Sequence, residues 1–152
     1  MHWYYKLRSL WYALRYRKLD TTTATVPSTP KELGIWGEEI AAVWLRRHGW
    51  RIIGRRVRPH RRDEIDLIAL KRDIIIFIEV KTRSSEYFAR PASAVNAAKR
   101  RALSRAARSF IHKHRDPQMI YRFDIIEVVS HPDDTPPTIR HLENAIAIRR
   151  NN

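Results

Sequence analysis

The chain contains no cysteine. That removes disulfide frameworks, zinc ribbons and thiol nucleophiles, and it suits a reducing cytoplasm. Any metal must be held by oxygen or imidazole. Long apolar runs are missing from residues 1–20 as well: the longest uncharged stretch there, 9–14, is far short of a membrane span, and no small-residue cleavage site follows an apolar region. We therefore expect neither a transmembrane helix nor a signal peptide. No internal repeat is visible. The histidines are scattered, and His112 with His114 is badly spaced for chelation from one helix face, so no zinc site is expected. Acidic residues are few relative to basic ones, 16 against 30, which leaves a net charge of +14. Such an excess calls for a polyanionic partner, with nucleic acid ahead of a lipid surface; charge alone does not separate DNA from RNA.

At 152 residues the chain is long enough for one domain with a real core and too short for two large ones. Residues 1–30 differ in composition from the rest. Trp3, Leu7, Leu10, Trp11 and Leu14 recur at helical spacing among Lys6, Arg8, Arg15, Arg17 and Lys18, the pattern of a short basic amphipathic helix. The Thr- and Pro-rich stretch 21–30 reads as a linker. The expected organisation is thus an extension over 1–30 and a domain over 31–152. Residues 3–18 could rest on an anionic membrane surface or be an incidental extension.

Within the domain, Leu33, Trp36, Ile40, Ala41, Trp44 and Leu45 form a helical stripe over 31–48, with Pro30 suited to the start and Gly49 to the stop. Glu38 lies at the margin of that stripe and Glu39 on its outer face. A strand is expected at 50–57, followed by a basic loop, Pro59-His60-Arg61-Arg62. Strands at 64–70 and 74–82 flank the turn Lys71-Arg72-Asp73. The second opens with five apolar residues, Ile74 to Ile78, so both its faces are covered and it is central. The spacing predicts a long helix over 91–115, with Val95, Ala98, Ala102, Ala106 and Phe110 inward and Arg101, Arg105 and Arg108 outward. A strand at 121–129 and a weaker element at 139–148 complete the chain. The order αβββαβ predicts an α/β fold with a mixed central sheet flanked by helices.

Chemistry is expected where the apolar strand turns polar. Side chains alternate along a strand, so Glu79 and Lys81 share a face and Val80 opposes them. Asp66 lies on the preceding strand, which can pair as a hairpin and bring it to Glu79. Two carboxylates beside an apolar core resist ionising unless a positive charge compensates. Mg²⁺, with Mn²⁺ as a substitute, prefers oxygen ligands and suits Asp66, Glu79 and the Val80 carbonyl. Lys81 would orient a water or stabilise charge on phosphorus. The bland alternative is a Glu79–Lys81 ion pair on a strand end with Asp66 capping a turn.

Other residues have two readings each. Glu38 could join the cluster or simply complement its helix dipole. Lys99 could reach a phosphate or extend into solvent. With Arg83 and the loop residues Arg61 and Arg62, it makes up the candidate nucleic-acid contacts. Arg122 and Asp124 share a strand face, and we expect a structural role.

Gly34-Ile35-Trp36-Gly37-Glu38, Glu64-Ile65-Asp66-Leu67-Ile68, Phe77-Ile78-Glu79-Val80-Lys81-Thr82-Arg83, Pro91 with Ala94, Val95 and Lys99, and Arg122-Phe123-Asp124 resemble the YraN family. These bacterial proteins are related to the restriction-endonuclease-like PD-(D/E)xK superfamily and similar to Holliday junction resolvases. The resemblance implies that mixed-sheet nuclease core, with Asp66, Glu79 and Lys81 as the catalytic triad and Glu38 as the helix acid. Asp63 and Val57 stand where the family has Gly and Asn, and 88–90 lacks the family's Gly. Asp63 is expected to add negative charge beside the metal site. The resulting expectation is a metal-dependent endonuclease acting on DNA, branched or repair intermediates included, in the cytoplasm, with a homodimer admissible. The alternative is a nuclease-fold module that binds nucleic acid with little or no catalysis.

Overall fold

The computed structural model of the protein describes residues 26–60, 63–84, 95–114, 116–131 and 135–148. The helix expected at 3–18, Arg61, Arg62, 88–90, Pro91 and Ala94 lie outside those residues. The element order is helix α1 (Pro30–Arg47), strands β1 (Arg51–His60), β2 (Asp63–Lys71) and β3 (Ile74–Ser84), helix α2 (Ala97–Lys113), and strands β4 (Ile120–Ser130) and β5 (Thr138–Ile146).

Five strands form one mixed sheet in the order β1-β2-β3-β4-β5. All neighbours are antiparallel except β3 and β4, which run parallel from Ile74↔Ile120 to Ser84↔Ser130. A parallel pair needs a crossover, and α2 supplies it. The expected α/β fold is thus observed, and the weaker final element is a fifth strand pairing along β4. No described helix is long and apolar enough to cross a membrane.

The alternation along β3 distributes the core between two faces. Ile75 and Phe77 pack with Leu103, Ala106, Ala107 and Phe110 of α2. Ile76 and Ile78 pack with Trp36, Ile40, Ala41 and Leu45 of α1. This double burial is what the continuous apolar run predicts. Burying such side chains contributes about 1.5–3 kcal/mol each, which fixes β3 as the rigid centre.

Both helix starts are set by side-chain caps. Thr29 accepts the Glu32 N–H at 3.3 Å and donates its hydroxyl to Glu32 Oε2 at 2.7 Å, with Pro30 in the first turn. Asn96 Oδ1 accepts the Lys99 N–H at 2.8 Å, so α2 begins at Ala97 rather than at the expected 91.

Three further expectations are corrected. The buried stripe of α2 is Leu103, Ala106, Ala107 and Phe110; Ala98 is exposed and Ala102 only partly buried, because Leu103 rather than the small alanines sets the helix phase. Pro59 and His60, expected in a loop, belong to β1, an edge strand, where a proline's missing N–H is tolerated. Glu39 does not face outward but pairs with the largely buried Arg55 of β1.

Candidate metal-binding cleft

The β2–β3 ladder runs from Lys71↔Ile74 to Leu67↔Ile78 and ends there. One residue further on, the Asp66 carboxylate takes over the role of a backbone acceptor: its Oδ2 accepts the Val80 N–H at 2.8 Å. The N–H and C=O of one strand residue point the same way. The Val80 carbonyl therefore faces the same opening between the strands.

Glu79 is only 3% exposed, at the point where β3 leaves the core. Its Oε1 accepts from Lys81 Nζ at 2.7 Å and stands 3.1 Å from Lys99 Nζ of α2. Its Oε2 is buried with no hydrogen-bond partner among the described residues. An unsatisfied buried carboxylate oxygen costs desolvation that nothing within the described protein returns.

Glu38 reaches the cleft from α1, its Oε2 held 2.8 Å from Arg56 Nε of β1. Arg56 adopts a left-handed backbone, φ 46°, which an L residue with a side chain rarely takes. Gly37 makes the approach of α1 to β3 feasible, since a Cβ there would lie 1.8 Å from Thr82 Oγ1. Glu38, Asp66, Glu79, Val80, Lys81 and Thr82 line one cleft of about 380 Å³, closed by Pro30, Leu33 and Gly34 of α1.

Burial pushes the Asp66 carboxyl up, to about 7. The Glu79 and Glu38 charges add to the rise, while the Val80 N–H and the Lys99 ammonium oppose it. Near neutral pH the Asp66 carboxyl is thus only partly ionised, because burial outweighs the nearby cation. Two carboxylates and a backbone oxygen, one carboxylate oxygen being orphaned, form a hard oxygen donor set that fits Mg²⁺ better than a soft metal.

Of the residues singled out in the sequence, Asp66, Glu79, Val80, Lys81, Glu38 and Lys99 converge here. Arg83 does not; it lies 3.5 Å from Glu127, a buried acid paired in register with Lys81. Asp124 is fully buried and structural, as expected: Arg122, His141 at 2.7 Å and the Asn144 N–H at 2.9 Å all bind it. Asp63 does not add charge to the cleft, because Arg105 of α2 grips both its oxygens, at 3.1 and 3.2 Å. Arg56 and Glu127 were not singled out. Nothing in the sequence distinguishes Arg56 from its basic neighbours, whereas Glu127 carried a signal as the acid that interrupts the apolar stretch 125–129 of β4.

A model of the uncharacterised protein family UPF0102 matches residues 37–128. A UPF0102 protein of Chlorobium phaeobacteroides strain BS1 is 42% identical over 121 residues, covering 76% of this chain and 94% of the relative. One from Bifidobacterium longum subsp. infantis is 35% identical over 120 residues, covering 77% and 94%. One from Caldicellulosiruptor saccharolyticus is 36% identical over 115 residues, covering 76% and 97%. This is the family that the motif blocks resemble, and the matched span contains every described cleft residue from Glu38 to Lys99.

Proposed function

The chain belongs to the uncharacterised family UPF0102, and from that footing we propose that it is a metal-dependent endonuclease hydrolysing phosphodiester bonds of DNA. The buried, partnerless Glu79 Oε2 beside a carboxyl whose ionisation is suppressed carries the reading. Asp66, Glu79 and the Val80 carbonyl would hold the ion. Mg²⁺, or Mn²⁺ in its place, supplies a more acidic water and neutralises charge on the phosphate.

The remaining work falls to the chain's own groups. Lys81 Nζ, anchored on Glu79, is positioned to orient an attacking water and to offset charge developing on phosphorus. Lys99 adds a second ammonium at the same carboxylate oxygen. Asp66 holds β2 and β3 at a fixed separation through the Val80 N–H, which keeps the two carboxylates in one geometry. Glu38, tethered by Arg56, is placed to take a proton or to orient a water from the α1 side.

Two observations favour a second reading, a nucleic-acid-binding module without catalysis. Both lysines converge on Glu79 Oε1, and among the described residues no three His, Cys, Asp or Glu side chains are grouped as metal ligands. Magnesium sites built from one or two carboxylates plus waters and substrate phosphate do not need such a group.

The test is to incubate the full chain with linear, single-stranded, flapped and four-way DNA in Mg²⁺, Mn²⁺ or EDTA, beside Glu79→Ala and Asp66→Ala. Metal-dependent cutting abolished by both variants supports the nuclease. Cutting that survives both removes the site. Binding without cutting on every substrate favours the second reading.

A further inference from the structure

We propose that the outer face of α2 is a separate docking groove for the phosphodiester backbone of duplex DNA, distinct from the carboxylate cleft. It rests on the nucleic-acid reading above but not on catalysis.

α2 carries Lys99, Arg100, Arg101, Arg105, Arg108 and Lys113 and no acidic residue. Arg101 and Arg105 are one turn apart, as are Arg105 and Arg108, so like charges face each other along the helix and destabilise it. A helix kept for stability alone would interleave acids. Of the three arginines on this face Arg105 is compensated, by Asp63; neither Arg101 nor Arg108 has an ion-pair partner among the described residues.

These side chains do not protrude from a flat surface. Arg100, Arg101, Arg105 and Arg108 line a groove of about 490 Å³ whose far wall is Ile146 and Ala147 at the end of β5. Ser104 bridges the two walls by donating to the Ala147 carbonyl at 3.3 Å. The groove faces away from the cleft. Lys99, which meets Glu79, lies on the opposite side of α2, with Leu103, Ala106 and Phe110.

The chemistry of the walls selects the occupant. Guanidinium groups match phosphate oxygens bidentately and remain charged at any physiological pH. A lipid surface would call for large exposed apolar side chains beside the cations, but the apolar face of α2 and Ile146 of the far wall are buried, and the exposed large apolar residues among those described, Ile35, Ile120 and Leu142, do not line the groove. Arg101 and Arg108 are about 10 Å apart along the helix axis. That is close to the roughly 12 Å width of the B-DNA major groove, so the two can meet phosphates on its opposite rims. The deep, narrow major groove of an RNA duplex offers no such span.

The experiment measures duplex DNA binding by fluorescence anisotropy in EDTA, over a salt series, for the full chain, for Arg101→Glu/Arg108→Glu and for Arg47→Glu/Arg51→Glu. The last pair, exposed on α1 and β1, makes the same change in net charge elsewhere. The groove variant is expected to lose about tenfold or more in affinity, and the slope of log affinity against log salt to shrink by about 0.9 for each phosphate that is no longer neutralised. Its thermal midpoint should rise, since Glu at 101 relieves repulsion with Arg105. An equal loss in the control pair overturns the proposal, as does a groove variant that binds DNA like the parent. Preferential binding of duplex RNA, or loss confined to phosphatidylserine vesicles, also overturns it. Because no cleavage is read, failure of the nuclease assay with groove-dependent binding intact would sink the catalytic reading alone.

Discussion

Asp66 is the residue where structure and chemistry press hardest on each other. Its folded carboxyl titrates near 7, above the 3.8 of the unfolded chain, so the folded state binds the proton more tightly. Stability from this group is therefore complete below the unfolded value and is lost as pH rises through about 7. In EDTA, urea denaturation should show the difference between wild type and Asp66→Asn moving against wild type from pH 6 to 8, by on the order of 1–3 kcal/mol. A difference independent of pH would contradict the assigned environment. Asp124 makes the opposite case. Asp124→Ala removes the buried acceptor shared by Arg122, His141 and the Asn144 N–H, leaving Arg122 only Glu143, and should cost about 3–5 kcal/mol while leaving metal binding intact. Equilibrium unfolding with a parallel metal titration checks both halves. The neighbourhood of Glu79 and Lys81 could be read from the sequence because an acid and a base emerging from five apolar strand residues are conspicuous. The approach of Lys99 to Glu79 could not be: it depends on the crossover bringing α2 beside β3, and a lysine flanking a helical stripe suits solvent equally well.

At the scale of elements, periodicity carried most of the architecture. β3 reads as a central strand and is one, and the hairpin that brings Asp66 beside Glu79 is observed. The misplacements have local causes. Asn96 caps α2 later than Pro91 suggested, alanines left the helix phase ambiguous, and an edge strand accommodated Pro59. The contact of Gly37 with Thr82 was not legible, since a glycine in a helix does not announce what it packs against. Gly37→Ala should therefore destabilise by about 1–3 kcal/mol through overpacking against Thr82, and adding Thr82→Ala should recover part of that. Thermal unfolding of the double-mutant cycle measures the coupling; additive losses would place the strain elsewhere.

The whole molecule sets a basic body around a small acidic centre. Its +14 charge would draw polyanions to the surface, while Glu38, Asp66 and Glu79 would repel a phosphate from the cleft itself unless a cation intervenes. Divalent binding is thus the hinge of the functional account. The most direct test is a titration of Mn²⁺ into the full chain, followed by its electron paramagnetic resonance signal, for wild type, Glu79→Gln and Asp66→Asn. The account predicts a site in wild type whose affinity falls about 100-fold or more in either variant. Wild type that binds no Mn²⁺, or a Glu79→Gln protein that binds it equally well, would contradict the metal centre.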